Sequence, residues 1–352
     1  MVFSFEEAKC SIVEYEPDTE SLQNVSMHYF QEENLKHGFR KMNALPYARV
    51  DPAQRCASVL VYGNHFAILP LRRSGQSIIK SNNGGMSSFE MSRKNHSVSS
   101  FMINIEDLPR KIARVIDFKF LDGYNDPTLV VLYEALPTWT GRISDRQDTC
   151  GILALSVNLI DHSHPVIWQM SALPYDCQFC EAVPKPLGGL LVMAANSIIY
   201  LDQSVPPFGV SVNNLTNGST QFALREQPSE PISLVNAKST FIKDNTVCLS
   251  LENGDVYFLI LQKDPLNNVR QFILTKSASS GKNPFYPFYN LVKIYREIKK
   301  SNLLIFSYSN NIIGTIGQFD LSWISIRKFP STSIYSQRGV YIQWRSRLIG
   351  RQ

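Results

Sequence analysis

Residues 146–210 read RQDTCGILALSVNLIDHSHPVIWQMSALPYDCQFCEAVPKPLGGLLVMAANSIIYLDQSVPPFGV, and this stretch decides the fold. Its apolar pieces are four to nine residues long, and each is closed by Pro, Gly, Asn or Asp. A backbone with that punctuation runs straight and turns repeatedly, so the segment is a β-rich scaffold. Nothing in it has the form of an active site.

The same texture extends in both directions. Strand candidates are 8–15, 22–30, 56–61, 65–71, 101–105, 114–121, 128–134, 150–158, 189–194, 197–202, 246–251 and 255–262, and amphipathic helical stretches are nearly absent. Three hairpins resemble one another: CASVLVYGNHFAILPL, GGLLVMAANSIIYL and NTVCLSLENGDVYFLIL, with turns at Gly63-Asn64, Asn196-Ser197 and Asn253-Gly254. The Gly-Asn and Asn-Gly pairs supply the positive φ that tight hairpins need. TLVVLYEALPTW followed by CGILALSVNL forms a further unit with a longer link. Repetition at a period of roughly 60 residues predicts an all-β, WD40-like β-propeller, incomplete at roughly four to five blades. An irregular β-sandwich is the alternative, although it needs fewer self-similar hairpins. The Ser-, Asn- and Gly-rich stretch 72–100 reads as a disordered loop inside one blade.

Composition narrows the setting. The chain has 352 residues, 44% hydrophobic and 11% aromatic, which is enough for a substantial core. Leu187–Leu201, the longest nearly apolar run, is broken by Asn196 and Ser197, and MVFSFEEAKC carries Glu6 and Glu7 where a signal peptide would be basic and apolar. Six scattered cysteines suit a reducing compartment. Sequons begin at Asn24, Asn95, Asn214 and Asn217, but they need a secretory route that this N-terminus does not suggest. The net charge of +5 conceals a division: residues 277–352 carry eleven Lys/Arg and two acidic residues, or +9, leaving −4 for residues 1–276. The body therefore lacks the basic field of a main phosphate-binding surface.

Candidate chemistry is sparse, with no catalytic, cofactor-binding or metal site assigned. Cys177-Gln-Phe-Cys180 follows His162 and His164, but that order matches no common zinc spacing, so the pair is expected to pack in a strand with one cysteine facing the core. Asp145, Asp148, Asp161 and Asp176 sit at no catalytic spacing and read as turn formers. Tyr133, Trp139, Trp168, Tyr200, Phe208, Tyr257 and Phe258 fall in or beside apolar strands and are expected in the core. Val205-Pro-Pro-Phe-Gly209 is a weak candidate for partner contact: Pro206 and Pro207 fix the backbone, and Phe208 would be presented from a rigid turn, the alternative being a turn that seals one propeller edge.

Long fragments resemble one family in joint order. They include SFEEAKCSIVEYEPDTESLQNVSMHYFQEENLKHGF, RVDPAQRCASVLVYG, YNDPTLVVLYE, TWTGR with RQDTC, HPVIW, LPYDC, AVPKPLGG, NSIIYL with QSVPPFGV, and FIKDNTVCLSLENGDVYFL. Together they resemble the N-terminal propeller of the largest subunit of the cleavage and polyadenylation specificity factor. The resemblance implies a nuclear, non-enzymatic scaffold with three propellers and a helical C-terminal domain. It also implies WD-repeat and zinc-finger partner subunits that read the AAUAAA signal, contact with pre-mRNA only through them, and no cofactor, membrane or small-molecule substrate. Residues 1–276 correspond to a partial first propeller. The family's opening segment is not found ahead of Met1, and the match stops near Ser280. The basic tail, 277–352, is dense in Ile, Ser, Asn, Tyr and Arg, resembles translated A/T-rich non-coding sequence, and is expected not to form a native blade. The damaged-DNA-binding adaptor of ubiquitin ligases and a splicing-factor scaffold share the triple-propeller plan and remain alternatives. A propeller hydrolase would need clustered carboxylates or arginines at the central channel.

Overall fold

The computed structural model describes residues 2–5, 8–16, 21–36, 48–71, 99–203, 205–226, 231–264 and 268–277. Nearly all of the loop expected at 72–100, and all of the tail after Ser277, lie outside them.

The described chain forms five sheets in sequence order. The first contains β1 (Val2–Phe5), β2 (Lys9–Glu16) and β3 (Ser21–Tyr29), and is followed by a single helical turn, α1 (Glu33–Lys36). The second contains β4 (Ala48–Val50), β5 (Cys56–Val61), β6 (His65–Pro70) and β7 (Phe101–Asn104). The third contains β8 (Arg114–Leu121), β9 (Thr128–Glu134), β10 (Cys150–Ser156) and β11 (Val166–Leu173). The fourth contains β12 (Cys177–Ala182), β13 (Leu190–Ala194), β14 (Ser197–Asp202) and β15 (Val205–Ser211), with the short β16 (Leu224–Glu226) parallel to β15. The fifth contains β17 (Lys238–Lys243), β18 (Thr246–Ser250), β19 (Val256–Lys263) and β20 (Val269–Lys276). Apart from the parallel β16, the strands of each sheet form an antiparallel meander, the construction of a propeller blade, and five separate sheets are incompatible with a sandwich.

Packing explains the apolar runs. On β9, Leu129, Val131 and Tyr133 face the second sheet, whereas Val130 and Leu132 face the fourth. On β5, Ala57, Val59 and Val61 face the first sheet and Leu60 faces the third. A strand buried on both faces has no polar positions to alternate with. Between the fourth and fifth sheets, Leu191, Met193 and Tyr200 meet Leu249, Leu259 and Phe272.

The turns differ in detail from expectation. In the β5–β6 hairpin the positive φ falls on Tyr62 (54°) and Gly63 (71°), one residue earlier than expected, and Asn64 N–H closes the turn on the Val61 carbonyl at 3.3 Å. Gly254 has the positive φ expected of it, 84°. Ser197 already belongs to β14, and Asn196 is held by donating from its backbone N–H (3.2 Å) and side-chain amide (2.9 Å) to Asp176.

Candidate interaction surface

β4 lies beside β8, and β8 beside β12, so the first strands mark the side on which the sheets converge. A polar ladder crosses these strands. Arg49 donates to the Asp117 Oδ1 and to the Phe118 carbonyl, both at 3.2 Å. Asp117 also accepts the N–H of Phe118 at 2.8 Å and, across the next sheet boundary, the N–H of Cys180 at 3.0 Å. Beside it, Lys119 pairs with Glu181 at 2.9 Å, and Ser239 of β17 donates to the same carboxylate at 3.1 Å. The ladder therefore joins the second, third, fourth and fifth sheets through two carboxylates, each occupied by bonds between sheets. That is the chemistry of a clasp. Burial, followed by the Asp117 charge, pushes the Cys180 thiol well above its ordinary range.

A second surface is built by loops at one end of the sheets. The β9–β10 connection, 135–149, meets the segment following β15. Gln147 donates to the Gly218 carbonyl at 3.2 Å, while Asp148 accepts from the Thr220 hydroxyl and, at 2.9 Å, from Gln221 N–H. Asn213 continues the tie, donating to Asn196 at 3.0 Å and to the Ile232 carbonyl at 2.7 Å. Asp176 beneath them is pushed above its ordinary pKa by burial, opposed by the Asn196 hydrogen bonds. On these loops Leu136, Trp139, Leu215 and Val235 are exposed, Trp139 by 56% and Leu215 by 69%. The Arg142 guanidinium lies 4.9 Å from the Trp139 ring. A shallow hollow of about 390 Å³ at the same end is lined by Ile232, Val235, Leu251 and Tyr257, beside the Asp255–Lys276 pair at 2.8 Å.

The residues singled out in the sequence are dispersed. Pro206 and Pro207 are exposed, but the Phe208 ring is buried, edge-on to Phe272 at 4.8 Å and beneath the Arg225 guanidinium at 5.1 Å. The expectation that Phe208 is presented is thus corrected: alternation along β15 turns it into the fourth–fifth core while the prolines stay at the strand's exposed start. Cys177 and Cys180 both enter the third–fourth core, not one of them, because a register shift between Cys177 and Phe179 brings residues three apart onto one face. His162 stacks on Phe101 with centroids 4.2 Å apart, and among the described residues no cluster of three His, Cys, Asp or Glu could hold a metal. Asp145 and Asp161 bond locally to Ser144 and Asn158, so the four aspartates form no common site. Trp139 departs from its expected core position. Its Pro-, Thr- and Gly-rich loop was legible, but its direction was not.

Comparison with known proteins places these features in context. The family model described as "RSE1/DDB1/CPSF1 first beta-propeller" matches residues 1–277. The chain is 40% identical over 285 residues to cleavage and polyadenylation specificity factor subunit 1 of Drosophila melanogaster, covering 80% of this chain and 20% of that protein. It is 35% identical over 283 residues to the Arabidopsis thaliana protein of the same name, covering 80% and 19%. Protein CFT1 of Yarrowia lipolytica is 28% identical over 269 residues, covering 75% and 20%. The chain thus spans about a fifth of the length of these relatives.

Proposed function

Because the chain belongs to the family of RSE1/DDB1/CPSF1 first β-propellers, we propose that it is a non-enzymatic scaffold segment of the nuclear machinery that cleaves and polyadenylates messenger RNA. The observation that carries this reading is the ordered match of residues 1–277 to that propeller, together with relatives named for the cleavage and polyadenylation factor. The ladder supports it, since Asp117 and Glu181 are engaged between sheets. In this reading residues 1–276 are a partial propeller, the tail 277–352 is not a native blade, and poly(A)-signal recognition is supplied by WD-repeat and zinc-finger partner subunits. Pro206 and Pro207, which are exposed, and the Trp139 loop are the places where such partners would contact the chain. Phe208 would serve only as the buried anchor behind the prolines.

The test is affinity purification of the tagged full chain from nuclear extract, comparing wild type with Trp139→Ala. Recovery of the WD-repeat and zinc-finger subunits with wild type, reduced severalfold by Trp139→Ala, is expected. Recovery of cullin-ligase or splicing subunits in their place would move the chain to the adaptor reading. Hydrolytic activity of the purified chain would end the scaffold reading.

A further inference from the structure

Among the described residues six large apolar side chains are exposed outside the first sheet, and four of them, Leu136, Trp139, Leu215 and Val235, stand on loops at one end of the sheets. Those loops are pinned. Gln147 and Asp148 tie 135–149 to Gly218, Thr220 and Gln221, and Asn213 is tied to the Ile232 carbonyl. Apolar groups held out on fixed loops are presented to something other than their own core.

The charges around Trp139 show what that something is. Trp139 precedes a short 3-10 turn, Thr140–Arg142, and the Arg142 guanidinium lies 4.9 Å from the indole centroid. The Arg146 N–H returns to the Arg142 carbonyl at 2.9 Å, so the two arginines are one turn apart and leave the same side of it. The connection from β7 to β8 runs alongside, since the Ala113 N–H donates to the Glu134 carbonyl at 2.8 Å, and it carries the exposed Arg110 and Lys111. The ion pairs among the described residues include none of these four cations, and Arg110 bonds only to the neutral Gln169, at 2.9 Å. The acids nearby are largely occupied. Glu134 pairs with Arg114 at 3.1 Å, Asp148 accepts from Thr220 and Gln221, and Glu106 and Asp107 lie toward the second sheet, near His65. Asp145, bonded to Ser144 at 3.5 Å, is the acid left exposed on the Trp139 loop.

We propose that this surface binds a short acidic peptide segment of a partner protein, with carboxylates on Arg142, Arg146, Arg110 and Lys111 and an apolar side chain packed on Trp139 and Leu136. Arg142 already lies over the indole, so a second cation there is repelled. A carboxylate can instead bridge to the guanidinium while the apolar residue beside it covers the ring. A nucleic acid would meet the same cations, but it extends beyond them over a body of charge −4, and Trp139 alone is not a row of stacking platforms. A short peptide keeps its charge within the two cationic loops. The inference rests on the reading of the Trp139 loop as a contact surface and names the chemistry that the loop takes.

Photo-crosslinking to the purified full chain tests it. The probe is a peptide about ten residues long, with Asp and Glu on both sides of a central diazirine-leucine; its control has every Asp and Glu replaced by Asn and Gln. Mass spectrometry maps the crosslinks, which separates this surface from the basic tail. Wild type is expected to crosslink the acidic peptide within 135–149, at a yield that falls as salt rises. Trp139→Ala and Arg142→Glu should each reduce that yield at least about fivefold, a loss equivalent to about 1 kcal/mol. Both positions are exposed and should leave the fold intact. Lys243→Glu, at the opposite end of β17, should leave the yield unchanged. Crosslinks confined to 277–352, equal crosslinking of the uncharged control, or an Arg142→Glu chain that crosslinks as wild type does would each overturn the proposal. So would a thiouridine-labelled RNA that crosslinks Trp139 and displaces the peptide, because the surface would then read nucleic acid. Loss of the peptide crosslink alongside undiminished recovery of the polyadenylation subunits from extract would remove this inference and leave the proposed function standing.

Discussion

Truncating Asp117 to alanine removes the central rung of the ladder. The side chain is 5% exposed and bonds to Arg49 of the second sheet, Phe118 of its own and Cys180 of the fourth. Its loss leaves the N–H of the fully buried Cys180 without this acceptor and strips the 21%-exposed Arg49 of its carboxylate. Leaving one member of a buried pair costs roughly 3–5 kcal/mol, and an orphaned buried donor roughly 1–3 kcal/mol. The two penalties overlap, so we expect a destabilisation of about 4 kcal/mol. Lys119→Met, by contrast, breaks a pair whose members are 20% and 19% exposed, and should cost about 1 kcal/mol. Urea unfolding of wild type, Asp117→Ala, Lys119→Met, Arg49→Met and the Arg49→Met/Asp117→Ala double variant measures these costs. The double variant should be less than additive by at least about 1 kcal/mol, because both changes remove the same ion pair. An Asp117→Ala chain within about 0.5 kcal/mol of wild type, the range of an ordinary surface change, would refute the claim that the ladder clasps the sheets.

Asp176 supplies a pH test. Burial raises its folded pKa above the ordinary 3.8, so its contribution to stability is fully present below that value and is lost as pH rises through the folded pKa. Asp176→Asn, whose amide oxygen still accepts from Asn196, should flatten that part of the stability–pH profile and leave the protein at least as stable at neutral pH; a steeper profile would contradict the assignment. All six cysteines are buried, and burial pushes Cys10 and Cys248 to about 11 and Cys56 to about 12. Iodoacetamide at mildly alkaline pH should label none of them until urea is added, as read by mass spectrometry of the intact chain. Fluorescence titration of the body with AAUAAA and a scrambled hexamer at two salt concentrations should show less than about tenfold discrimination, equivalent to about 1.4 kcal/mol, since residues 1–276 carry −4.

What the sequence disclosed depends on where each strand sits in the stack. The expected limits of 56–61, 114–121, 128–134 and 197–202 coincide with β5, β8, β9 and β14, of which β5, β9 and β14 are buried nearly throughout and β8 over its second half. β11 and β17 escaped notice because each has positions that neither neighbouring sheet covers, so VIWQMSAL and KSTFIK keep polar residues and lose the continuous apolar signal. β4 and β16, three residues each, are too short to carry a period. The ladder was illegible for a different reason. Asp117, Lys119 and Glu181 look in sequence like ordinary polar positions of half-exposed strands, and only the convergence of β4, β8, β12 and β17 gives Asp117 the amide of a residue 63 positions away. A lone carboxylate inside an apolar strand such as RVIDFKFL is nevertheless a usable signal. Desolvating it is tolerable only where donors converge on it, and in a stack of sheets the nearest donors belong to the strands on either side. The rule extends to the outermost sheets: a residue's orientation follows from alternation, but whether it is covered depends on the next sheet, which is why Met27 and Leu132 read alike in sequence and differ completely in exposure.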